Sequence, residues 1–175
     1  MTVAKTKKPT LPEHLVNSIT EAIVTTFEST CGDGLTHKRA ETEDELHGEK
    51  LSDGVVGIIS LVGDLNWLIM TGFPRKTAEA LALKFVGFEI TFESDDMGDA
   101  IGEFANIMAG DACARLEMQD VKVDMSLPAV ARGSQIELLQ QYKLPSALVQ
   151  FESPMGSFWT KIVAAFEMPG RKSLT

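Results

Sequence analysis

The sequence predicts an α+β fold, a mainly antiparallel sheet packed with three long helices. Three observations carry that reading. Apolar residues recur at helical spacing in three stretches, at about 11–31, 74–86 and 95–116. Two apolar runs flank Gly63-Asp64, the pattern of a β-hairpin. The elements follow one another as helix, hairpin, two helices and then further strands, not as the strand–helix alternation of a parallel sheet.

The first helix opens at Thr10-Leu11-Pro12-Glu13, which has the form of a capping box with Thr10 as the cap. Leu15, Ile19, Ile23 and Phe27 then form a stripe widened by Val16, Ala22 and Val24, and Gly32 or Gly34 stops it. Residues 35–40 fit a short edge strand and 41–49 an acidic surface loop. The hairpin pairs residues 55–62 with 65–71, and its near-continuous apolarity predicts strong burial. Pro74 opens the second helix, with Ala78, Leu81, Ala82 and Phe85 on one stripe and Gly87 as its stop. After the third helix, Val121, Val123 and Met125 alternate with polar residues as a strand ending before Pro128. Residues 129–145 show no clear pattern. Residues 147–151 and 158–166 flank Ser153-Pro154-Met155-Gly156 as a closing hairpin. One domain is expected over 11–168, between a basic tail at 1–10 and a polar tail at 169–175.

The composition narrows function. Among 175 residues, 44% are hydrophobic and 23% charged, as in an ordinary globular domain. The net charge of −9 opposes nucleic acid and anionic membrane surfaces as partners. No apolar run approaches the roughly 18 residues of a membrane helix. Lys5, Lys7 and Lys8 are not followed by the apolar core of a signal peptide. Cys31 and Cys113 lack CxxC spacing and neighbouring histidines, so they are expected as reduced, small apolar side chains. A cytoplasmic location is the expectation. Gly32-Asp33-Gly34 lacks the Lys-Ser/Thr of a phosphate loop. His14, His37 and His47 have no ligand spacing. Trp67 and Trp159 sit in strand-like runs and are expected to pack in the core or at a sheet edge. Ser94, Asp95, Asp96 and Asp99 crowd too closely to surround a cation, and are expected as an N-cap with acids in the first turn.

The chemistry lies in the third helix. Met97, Ile101, Phe104 and Met108 form its apolar stripe, while Gly98 and Gly102 stand in its interior. Each interior glycine costs about 1 kcal/mol relative to alanine, which implies that chain or partner approaches closely there. At about 100° per residue, Asp99, Glu103 and Asn106 share one face. Glu103 and Asn106 set a carboxylate beside a carboxamide. A carboxamide both donates and accepts, so it can hold a water at a fixed angle of attack. A carboxylate can pair with a lysine beside a phosphoryl group. Positioning and electrostatics are most of what phosphoryl transfer requires. Taken alone, Glu-x-x-Asn is also compatible with a merely solvated helix face.

Asp99-x3-Glu103-x2-Asn106, with Pro128 about twenty residues on, resembles the signature of the CheC, CheX and FliY chemotaxis phosphatases. The order of elements matches too, from about residue 10 to 166. Of Asn17, Asn66 and Asn106, only Asn106 has a glutamate three residues before it. A single motif resembles the CheX type, which pairs as homodimers, rather than the two-motif CheC type. The resemblance implies a CheC-like fold, and hydrolysis of the aspartyl phosphate of a CheY-like response regulator. It implies that Glu103 salt-bridges the regulator's lysine, that Asn106 orients the attacking water, and that Asp99, Gly102 and Pro128 support them. No cofactor is implied on this chain, and Mg2+ is expected on the regulator. Two other readings stand beside it: a non-catalytic adaptor of the same superfamily, and a sensor holding a small ligand between helix and sheet.

Overall fold

A computed structural model describes residues 11–39, 50–138 and 144–164. The element order is α1 (Glu13–Cys31), β1 (Thr36–Arg39), β2 (Lys50–Gly63), β3 (Asn66–Pro74), α2 (Arg75–Val86), α3 (Asp95–Glu117), β4 (Val123–Met125), β5 (Ala129–Glu137), β6 (Ser146–Ser153) and β7 (Gly156–Ala164). The seven strands form one antiparallel sheet in the order β1-β6-β7-β3-β2-β4, with β5 also paired to β2. This is the α+β arrangement that the sequence predicts.

The helix stops follow from glycine chemistry. Gly32, at φ 91°, ends α1 and donates its N–H to Glu28 O. Gly87, at φ 90°, ends α2 in the left-handed conformation, donating to Leu83 O. At the start of α1, Pro12 occupies the N-cap position and no side chain caps it. The expected capping residue, Thr10, lies outside the described residues, as do the two tails, the 41–49 loop and His47.

Two strand assignments differ from expectation. β2 starts at Lys50, five residues before the apolar run, and residues 129–137 form β5 rather than an unpatterned segment. One cause accounts for both. β2 is central in the sheet: one edge pairs β3 from Gly54 to Val62, and the other pairs β5 from Lys50 to Ile58 and β4 from Leu61 to Gly63. Backbone pairing with β5 therefore makes strand of polar residues that periodicity leaves as loop. Gln135, at φ 56°, interrupts the β5 alternation that would reveal it.

All three helices pack on one face of the sheet. The core there is built on aromatic rings. Phe27 of α1, Phe73 of β3, Phe104 of α3 and Phe158 of β7 meet at centroid distances of 5.1–6.4 Å. Thr71 and Thr160, opposite one another on β3 and β7 and both buried, satisfy each other by a 3.0 Å hydrogen bond. The other sheet face carries a smaller buried cluster of Leu51, Val56, Met70, Leu148, Trp159 and Val163. Trp67 packs in the helix-side core. Both tryptophans are thus buried, as expected, one on each face of the sheet.

Candidate functional site

α3 is rotated by its apolar stripe. Met97, Ile101, Phe104 and Met108 are all at most 4% exposed. Phe104 also contacts Phe85 of α2, at 5.9 Å between centroids. Small residues let the helix sit close to the sheet. A Cβ added at Gly57 of β2 would lie 3.1 Å from the Ala105 methyl. With Phe104 and Ala105 buried, the neighbouring Glu103 turns outward and is exposed, and Asn106 is half-buried. Asp99 is exposed on the same face, one turn earlier.

The two interior glycines separate in role. At Gly102 a Cβ would stand 3.4 Å from Val130 Cγ2 and 3.7 Å from Pro128 Cγ, so the chain does approach closely there. Gly98 has nothing within 4 Å of such an atom, so no part of the chain among the described residues approaches closely there. Gly102 is buried.

An open groove of about 960 Å³ runs between α3 and β5. Asp95, Gly98, Asp99, Gly102 and Glu103 form one wall, and Pro128, Val130 and Arg132 the other. Four of the five site residues read from the sequence are thereby brought together: Asp99, Gly102, Glu103 and Pro128. Asn106, less than one turn beyond Glu103, is not among the groove's lining. Val130 and Arg132 are the residues that sequence reasoning missed. They lie two apart on β5, opposite Gly57 and Val55 of β2, and so point to the helix side of the sheet. No pattern in the sequence marked them, because the extension of β2 to Lys50, which pairs with β5, was itself unread.

Ser94 is the N-cap residue of α3, as expected, but its side chain does not cap the helix. Its hydroxyl instead donates to Thr91 O at 2.8 Å. Asp95 and Asp96 lie in the first turn, where they complement the helix dipole. Near its other end α3 is tied to α1 by Arg115, which bonds Asp111 at 3.0 Å, Glu21 at 3.2 Å and Thr25 at 2.8 Å. Two large apolar side chains next in sequence to site residues are exposed: Ile107, beside Asn106, at 41% and Leu127, beside Pro128, at 88%.

Both cysteines are free thiols, Cys31 buried and Cys113 half-buried. Burial pushes Cys31 up to about 11, against a smaller opposing pull from Lys84. Cys113 is also raised, first by burial and then by the Asp124 carboxylate. Among the described residues no group of three or more His, Cys, Asp and Glu side chains is disposed to hold a metal ion. No helix among them is long and apolar enough to cross a membrane. The cavity between α1, α3 and the sheet has a volume of about 10 Å³, room for no more than one water, so it offers the sensor reading no ligand site.

No curated protein matches the chain in sequence. Solved structures do match its fold. CheX from Desulfovibrio desulfuricans superposes with a TM-score of 0.76 at 20% identity, over 86% of this chain and 99% of that one. A CheC-like superfamily protein from Shewanella sp. PV-4 gives 0.78 at 19% identity, over 89% and 100%. A chain in the crystal structure of the CheX-CheY-BeF3-Mg2+ complex from Borrelia burgdorferi gives 0.69 at 19% identity, over 87% and 98%. The sequence matches the family of the chemotaxis phosphatase CheX over residues 55–152, more than half the chain and the whole of α3 with its groove. This chain therefore belongs to the CheX family.

Proposed function

We propose that this protein hydrolyses the aspartyl phosphate of a CheY-like response regulator, acting from the α3 face. The carrying observation is that Glu103 is exposed and Asn106 half-exposed, less than a turn apart, on a helix whose rotation is fixed by buried Phe104. Family membership and the fold shared with a chain of the Borrelia CheX-CheY complex support the same reading.

Glu103 docks against the regulator's active-site lysine, fixing the two surfaces in register through a charge-assisted contact. The Asn106 carboxamide accepts from and donates to one water, aligning it opposite the phosphorus–oxygen bond that breaks. Attack at phosphorus releases inorganic phosphate and restores the regulator's aspartate. Magnesium belongs to the regulator, where it neutralises charge on the phosphoryl oxygens. No covalent intermediate on this chain is needed. Asp99, Gly102 and Pro128 act in support: Pro128 and Gly102 build the groove beside the pair, and Asp99 adds charge to its wall. The exposed Leu127 and Ile107 supply apolar contact at the rim. The protein works in the cytoplasm as a homodimer.

The test is phosphate release from a phosphorylated CheY-type regulator with and without this protein. Acceleration well above the regulator's own decay is the expected result. Binding without acceleration would establish an adaptor instead.

A further inference from the structure

The groove holds an arginine that the Glu103–Asn106 chemistry leaves unexplained. Arg132 Nη1 donates to Phe92 O at 2.9 Å and also to Ser94 O. Both carbonyls belong to the junction that delivers the chain into α3. The same junction is also held by Arg75, whose guanidinium carbon lies 4.6 Å over the Phe92 ring and whose Nη1 meets Glu93 at 2.7 Å. Phe92 itself is 3% exposed. The strand that carries Arg132 also carries Val130, which closes on Gly102. β5 therefore touches α3 at its origin and again one residue before Glu103.

The geometry points to Arg132 as a positioning residue: through the Phe92 and Ser94 carbonyls it fixes where α3 begins, and so where Glu103 and Asn106 stand along the groove. A guanidinium suits this task because one planar group can address two carbonyls at once, with no acceptor of its own to satisfy. Its placement at the positive end of a helix would otherwise be unfavourable, so the carbonyl bonds and nearby Asp95 offset that cost. Catalysis by water alignment is sensitive to such placement, since a shift of about 1 Å can lower a rate on the order of a hundredfold.

This inference rests on the phosphatase reading, and four proteins separate the two: wild type, Asn106→Ala, Arg132→Ala and Arg132→Lys. Each is assayed for turnover of a phosphorylated CheY-type regulator, for affinity toward the beryllofluoride-bound regulator, and for amide hydrogen exchange over residues 92–102. Arg132→Ala is expected to lower kcat about tenfold or more. Its affinity should stay within about threefold of wild type, and exchange in the first turns of α3 should rise. Arg132→Lys, which can still donate to a carbonyl, should recover part of both the rate and the protection. An unchanged kcat would overturn the assignment. So would a lowered kcat with unchanged exchange, which would mean that Arg132 touches the phosphoryl group or the partner directly. If wild type gives no acceleration over Asn106→Ala, the phosphatase reading itself fails and the positioning role falls with it.

Discussion

Glu103 and Asn106 differ in what each should lose on substitution. Glu103→Lys reverses the charge offered to a regulator lysine, so binding should weaken by about tenfold or more at low ionic strength and the defect should shrink as salt rises. Isothermal titration at two salt concentrations checks this; a salt-independent defect would contradict an ionic role. Gly98 makes a different case. With open space beside it, Gly98→Ala should raise stability by about 1 kcal/mol, read as a higher urea midpoint. Its retention in a helix interior then points to clearance for an approaching partner, and the same variant should bind the regulator less well. The thiols make a third. Cys31 sits near 11 when folded, so it binds its proton more tightly than in the unfolded chain. Its contribution to stability is full below the ordinary value near 9 and is lost as pH rises toward 11. Folded protein should accordingly react slowly with iodoacetamide at pH 8, and reaction as fast as in urea would refute the burial of Cys31.

At the scale of elements, α3 depends on its anchors. Phe104 contacts three other aromatic rings, Phe27, Phe73 and Phe85, in the core, and Phe104→Ala should lower the urea midpoint by the equivalent of about 3–5 kcal/mol. The Arg75–Glu93 grip on the helix start is exposed and screened, so it adds little to global stability. It still has a pH signature. Glu93 is held below 4.5, first by its own backbone N–H and then by Arg75, which also faces Asp53 and Glu79, with Arg132 nearby. Its contribution is present above 4.5 and is lost as pH falls through the lowered value. Amide exchange at the start of α3 should therefore quicken, beyond its intrinsic pH dependence, only below about pH 4.5.

These elements also mark how far the sequence could be read. The helices were legible because Leu15 to Phe27, Ala78 to Phe85 and Met97 to Met108 repeat at a period that only a helix buries, with glycines at Gly32 and Gly87 to end two of them. Glu103 and Asn106 could be placed on α3 for the same reason. β5 could not be found this way. Its residues alternate between exposed and half-buried without a regular period, Gln135 breaks the ladder, and its partner residues Lys50 to Gly54 are mostly polar or lack a side chain. Strand character there comes from pairing, a long-range property. Val130 and Arg132, the far wall of the groove, were hidden for that reason. The Ser94 side chain was misread at shorter range, because Thr91 O competes for its hydroxyl.

Across the whole molecule, the sheet holds α3 at a fixed height through substitutions of bulk for space. Gly57 admits Ala105 on the helix side, and Gly72 admits the Trp159 ring on the other, where an added Cβ would fall 2.2 Å from Cζ2. Gly72→Ala should displace that indole and destabilise the domain by about 1–3 kcal/mol, read as a lower urea midpoint. Packing of this kind fixes α3 against the sheet while Asp99 and Glu103 stay exposed beside the groove.

The most direct test of that account compares Asn106→Ala with wild type in single-turnover dephosphorylation of a CheY-type regulator, with affinity measured in parallel. A rate reduced about a hundredfold or more, at affinity within a few fold of wild type, is the predicted result. Equal rates for the two proteins would contradict a water-orienting role for Asn106.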